Sequence, residues 1–171
     1  MSRFWRREHH EDRGPLSHTR ECVRALILTP GHSVLLVHLV LPGRDFWITP
    51  GGGIAAGESH HGALHRELLE ETGRSGLTIG PHIWTREGAY EWRGETRAER
   101  EYFYLVRADE FVADSSGNPV PGERELMAEF RWWPARELPA ESKLFAPMRL
   151  GPLVADLIEN GAPAQPIDTG F

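Results

Sequence analysis

Three glutamates, Glu67, Glu70 and Glu71, are crowded into HHGALHRELLEETGR. A helix turns through about 100° per residue, so all three fall on one narrow arc. Leu64 and Leu68 lie beside that arc and can face a core. Glu67 and Glu71 are an i,i+4 pair of like charges, which repel. Glu70 and Glu71 also meet the negative end of the helix dipole, at roughly 0.3–1 kcal/mol each. The nearby cation is Arg66. Two readings follow from the stripe: a solvated acidic face, or a site for a divalent cation, which reverses the sign of every one of these terms. Carboxylate oxygens suit Mg²⁺, Mn²⁺ and Ca²⁺. Just upstream, Gly51, Gly52 and Gly53 let backbone come close to a ligand, offering carbonyls to a cation or amides to a phosphate.

The segment resembles the Nudix box, G-x5-E-x7-R-E-U-x-E-E-x-G-U, where U is a bulky aliphatic residue. Gly52, Glu58 and the run Arg66-Glu67-Leu68-Leu69-Glu70-Glu71-Thr72-Gly73 fill it in register, and only Arg74 departs, at the final aliphatic position. The resemblance implies an α/β fold, an α/β/α sandwich around a mixed β-sheet, and a loop–helix–loop that holds Mg²⁺ or Mn²⁺. It implies hydrolysis of a diphosphate linked to a further group, very often a nucleoside. Carried over position by position, Glu67, Glu70 and Glu71 are metal ligands and the Gly51 carbonyl is a further one. Arg66 orients a glutamate, and Glu58 supports the cluster. The general base is Glu67, or else Glu99 or Glu101 from a facing strand. Glu99 and Glu101 alternate onto the same face as Phe103 and Leu105, and the competing reading leaves them in exposed hairpin beside Arg97 and Arg100. Trp47, Trp84 and Trp92 are candidates to line a substrate pocket.

Marks outside the box bear on substrate. The proline of the ADP-ribose type is replaced by Ala89, and the proline-rich marker of NADH pyrophosphatases is absent. Tyr90 stands where the dinucleoside polyphosphate type carries a tyrosine. The expected substrate is therefore a nucleoside diphosphate derivative, a nucleoside triphosphate or a dinucleoside polyphosphate. The rival class is a nucleotide-sensing protein of the same fold without turnover, against which the intact glutamates argue.

The elements that must position these groups are legible in outline. ECVRALILT and SVLLVHLV are apolar, β-branched and separated by PGH, which predicts a hairpin. FWIT is a short strand entering the glycines. Residues 59–72 form a helix with Gly73 at its C-terminal cap. Long strands follow over about 77–91 and 95–107, then a loop at 114–122, the strand EFRWW and a last helix from Pro147 to Asn160. Residues 1–18 read as a flexible arm, 19–160 as the domain and 161–171 as a flexible tail.

Composition sets the outer limits. With 40% hydrophobic and 26% charged residues the chain is of ordinary globular type. A net charge of −6 provides no basic field for nucleic acid. The single cysteine, Cys22, precludes an internal disulfide and suits the cytoplasm. No apolar run is long enough to span a membrane, and the N-terminus lacks the apolar segment of a signal peptide. The expected partner is a small-molecule nucleotide; a homodimer is compatible with the sequence but not derivable from it.

Overall fold

The structure, a computed structural model, describes residues 19–41, 43–92 and 95–170. The expected arm at 1–18 lies outside the described residues. β1 (Thr19–Leu28) and β2 (Ser33–Leu41) form the expected hairpin, but they pair at Leu28 and Val34 and then diverge. β2 goes on to pair with β3 (Arg44–Ile48) and β7 (Met127–Pro134), while β1 pairs with β4 (Gly51–Gly53) and runs parallel to β6 (Glu95–Arg107). β6 is also the antiparallel partner of β5 (Ile79–Trp92). The two-residue β8 (Phe145–Ala146) lies parallel to β3. The sheet is therefore mixed, in the order β8-β3-β2-β1-β6-β5-β9, where β9 is Ile167–Asp168, with β4 and β7 attached to β1 and β2.

Strand alternation sends side chains to opposite faces, and both faces of β1 are buried. Val23, Ala25 and Ile27 pack with Ala63, Leu64 and Leu68 of α1 (His60–Thr72). Leu26 and Leu28 face the other way and share a core with Leu150, Val154 and Leu157 of α3 (Leu150–Asn160). Each fully buried leucine contributes about 1.5–3 kcal/mol. The expected α/β/α layering is thus produced by two apolar stripes on the two faces of one strand. The adjacent tryptophans of β7 divide in the same way: Trp132 packs on Phe111 and Trp133 on Phe145.

Two segments differ from their sequence reading. The tail is docked, since β9 (Ile167–Asp168) pairs in parallel with β5 and the Thr169 N–H donates to the Thr85 carbonyl. A tail of prolines and small residues carries no strand signal, and the pairing rests mainly on backbone groups. The loop at 114–122 contains a 3₁₀ turn at Ser115–Gly117, capped by the Asp114 carboxylate, and leads into α2 (Pro121–Arg124).

Candidate active site

α1 starts at Ser59, whose hydroxyl accepts from the Gly62 N–H, and closes at Gly73, whose N–H donates to the Leu69 carbonyl at 3.0 Å. No acidic residue sits in its first turn and no basic residue in its last. Charge is therefore placed against the helix dipole, as the sequence required. Glu67 and Glu71 are buried along with Leu64 and Leu68.

Arg66 is the hub of the site. Its Nη1 donates to Glu67 Oε1 at 2.7 Å and lies 3.5 Å from Glu70 Oε2. Its Nη2 donates to the Gly53 carbonyl at 2.9 Å, and both Nε and Nη2 donate to the Glu58 carboxylate. Glu58 also accepts from the Ala55 N–H, which folds the connecting loop back onto the helix. The bonds from Arg66, then that from Ala55, hold the Glu58 carboxyl down at about 2. Burial pushes Glu67 above the usual carboxylate range, against the pull of Arg66.

The glycines form β4 because only they fit. Gly51 has φ of +136°, and a Cβ there would stand 2.1 Å from the Val23 carbonyl oxygen. A Cβ on Gly52 would stand 2.6 Å from Glu67 Oε2, so its absence gives that carboxylate its place against the strand. The Gly51 N–H donates to Glu71 Oε2 at 2.7 Å. Loop, strand and helix are thereby locked into one unit.

Among the described residues, no group of three His, Cys, Asp or Glu side chains converges as a metal cage. Arg66 lies between Glu67 and Glu70, and Glu71 is turned to Gly51. The donor set nonetheless fits a hard divalent cation: carboxylates in excess of their cationic partner, one of them desolvated, beside strand carbonyls.

A NUDIX domain model matches residues 18–155. The chain belongs to the Nudix family. It is 31% identical over 137 residues to the RNA pyrophosphohydrolase of Afipia carboxidovorans, covering 70% of this chain and 80% of that one. The Nudix domain of Shewanella oneidensis NrtR, solved with ADP ribose, superposes with a TM-score of 0.62 at 18% identity over 87% of this chain and 94% of that one. The E. coli dihydroneopterin triphosphate pyrophosphohydrolase does so with a TM-score of 0.61 at 17% identity over 83% and 98%. At such identities these structures speak for the fold. The chain is a Nudix-type pyrophosphohydrolase, of a family that generally uses divalent metals.

Within this Nudix domain the remaining candidates are dispersed. Glu101 is 1% exposed and held between two guanidiniums: Arg24 Nε donates to Oε1 at 2.8 Å and Arg86 Nε donates to Oε2. Burial pushes its carboxyl up, but Arg86 and Arg24 outweigh burial and hold it below the usual range. With both oxygens engaged by guanidiniums and almost no exposure, Glu101 is poorly placed to take a proton, which corrects its reading as a base. Glu99 accepts from the Tyr90 hydroxyl at 2.9 Å and lies 3.5 Å from Arg20 Nη1. The Arg20 guanidinium in turn covers Gly53, at 2.7 Å from where a Cβ would be. Glu99 and Tyr90 thus adjoin the glycine strand.

Trp84 is a core residue, 1% exposed against Phe103, which corrects its reading as a pocket wall. Its position on β5 places it on the face that α3 covers. Trp47 is half-buried, stacked on His38 and edge-on to Trp133. The Trp92 side chain lies outside the described residues. His60, the first residue of α1, is half-buried, with Nδ1 2.9 Å from the Tyr104 hydroxyl. Sequence reasoning missed Arg20, Arg24 and Arg86. The available signal was an arginine on a strand face otherwise occupied by Leu26 and Leu28, or by Trp84.

Proposed function

We propose that the protein hydrolyses the diphosphate linkage of a nucleoside 5′-polyphosphate, a nucleoside triphosphate or a dinucleoside polyphosphate, by attack of water at the α1 glutamate site. The carrying observation is the lock between α1 and β4, in which Arg66 and Glu71 tie the helix to Gly53 and Gly51. Glu67, Glu70 and Glu71 would hold Mg²⁺ or Mn²⁺, whereas the Gly51 carbonyl, the further ligand expected, accepts from Arg24 Nη1 at 2.6 Å. When bound, such a cation offsets the charge of the diphosphate and makes a nearby water more acidic.

The chain's own contributions follow from its geometry. Arg66 holds Glu67 in one orientation by a charge-assisted hydrogen bond. Glu67, held in place by that bond, takes the proton of the attacking water at a carboxylate oxygen. Glu99, beside Tyr90 and Arg20, is the second candidate for that proton. Tyr90 and Trp47, both half-buried, are the rings we offer to a nucleobase. The cytoplasm suits the buried Cys22, whose thiol burial pushes up to about 11.

The test is a panel of ATP, GTP, diadenosine tetraphosphate, ADP-ribose and a 5′-triphosphorylated oligoribonucleotide. The last is included because a relative bears the name RNA pyrophosphohydrolase. Phosphate, pyrophosphate and mononucleotide release are followed with Mg²⁺ or Mn²⁺ and after chelation. Turnover of a nucleotide that chelation abolishes is expected; saturable binding of a nucleotide without turnover would replace hydrolysis with sensing.

A further inference from the structure

We propose that Arg24, Glu101 and Arg86 are positioning residues that hold the Gly51 peptide, and through it Glu71, in working geometry. The inference rests on the glutamate site proposed above and assigns it a support on the opposite side of the sheet. Four contacts form one chain. Arg86 Nε donates to Glu101 Oε2. Arg24 Nε donates to Glu101 Oε1 at 2.8 Å, while its Nη1 donates to the Gly51 carbonyl at 2.6 Å. The N–H of that same Gly51 donates to Glu71 Oε2 at 2.7 Å. The Gly51 residue is therefore gripped at both polar groups, by the box helix on one side and by a buried ion cluster on the other.

The grip is stiff for identifiable reasons. Glu101, Arg86 and Glu71 are all buried, so the contacts are poorly screened and have little water to compete with them. β1 and β6 run parallel in continuous register, which sets Arg24 of one strand close to Glu101 of the other. β5 brings Arg86 opposite Glu101. One guanidinium fork serves Glu101 and Gly51 together, and a lysine ammonium, a single nitrogen, cannot repeat this. Gly51 has no side chain with which to anchor itself, and its φ of +136° and the Val23 carbonyl leave no room for one.

The decisive variant is Arg24→Lys, in the full chain. It keeps a cation beside Glu101 and should stay folded by circular dichroism. Three readouts are taken. In metal-free protein, the Gly51 amide resonance should move and its hydrogen exchange should quicken relative to wild type. Mn²⁺ affinity, by calorimetry or electron paramagnetic resonance, should fall roughly 10–100-fold, the usual effect of losing an outer partner of a ligand. kcat should fall while the acid limb of the pH–rate profile keeps its wild-type position, because no proton passes through Glu101. Should Arg24→Lys fail to fold, Arg86→Lys, which spares the bond to Gly51, should show the same shifts at smaller size.

A folded variant with wild-type Gly51 exchange and wild-type Mn²⁺ affinity would overturn the proposal. A displaced acid limb would instead make Glu101 a proton-transfer group. If the wild type turns over no nucleotide, the proposed function fails, yet the Gly51 and Mn²⁺ readouts still decide the positioning role.

Discussion

Arg66 grips Glu58 by two N–H···O bonds, Nε to Oε1 at 3.0 Å and Nη2 to Oε2 at 2.8 Å. This fork ties the residue just before the Ser59 cap to the helix body and leaves Nη1 for Glu67. Lysine has no fork. Arg66→Lys should therefore keep most of the stability but lower kcat by roughly 10–100-fold, as lost outer partners do. Steady-state kinetics beside a thermal melt checks it. Activity within twofold of wild type would remove Arg66 from the working site.

Glu101 makes the acid side of the stability curve predictable. Its carboxyl is pushed up by burial but held below 4.5 overall by Arg86 and Arg24. A depressed folded value means that its stabilisation is complete above the unfolded value and is lost as pH falls through the folded one. Glu101→Gln removes the carboxylate that Arg24 and Arg86 share, and losing one partner of a buried ion cluster should cost about 3–5 kcal/mol at pH 7. That deficit should shrink below pH 4.5. Denaturant melts of both proteins from pH 3 to 8 check the sign; a deficit constant across that range would contradict it.

How much of this was legible in the sequence follows physical lines. α1 was readable because its marks are local: leucines at helical spacing and Gly73 at the end. The departure at Arg74 has a local answer too, since its guanidinium stacks on Phe111 at 4.7 Å, replacing an aliphatic contact. The Arg24–Glu101–Arg86 cluster was not readable. Arg24 and Glu101 are 77 positions apart and meet through a parallel pairing that alternation cannot reveal. Trp84 was misread because a tryptophan on a strand looks the same whether its face meets a helix or a pocket. β9 escaped notice because edge pairing by backbone has no side-chain signature.

Tyr90 tests the substrate class. Its hydroxyl donates to Glu99 at 2.9 Å, and the Arg44 guanidinium lies 5.6 Å from its ring centre. If the ring stacks on a second nucleoside, Tyr90→Ala should lose about 1–3 kcal/mol of binding with diadenosine tetraphosphate, and much less with ATP. Tyr90→Phe, which keeps the ring, should lose less than Ala. Michaelis constants for both substrates separate the cases, and equal losses on the two would leave Tyr90 a strand residue only.

Divalent cations should stabilise the folded protein, because the buried carboxylates of Glu67 and Glu71 gain a counter-charge. Mg²⁺ or Mn²⁺ at 100 times Kd should add about 2.7 kcal/mol. Differential scanning fluorimetry across a metal titration reads this directly. A melting temperature indifferent to both metals would speak against a site on α1.

The most direct measurement is turnover per folded molecule of Glu67→Gln and Glu71→Gln, with saturating Mg²⁺ and the best substrate of the panel. Each change keeps shape and removes one charge from the α1 stripe. We expect kcat to fall roughly 10²–10⁴-fold in each. Their metal-free melting temperatures should equal or exceed that of wild type, since repulsion and the dipole penalty are relieved. Variants that unfold, yet retain wild-type turnover in their folded fraction, would make the glutamates structural and contradict hydrolysis at this site.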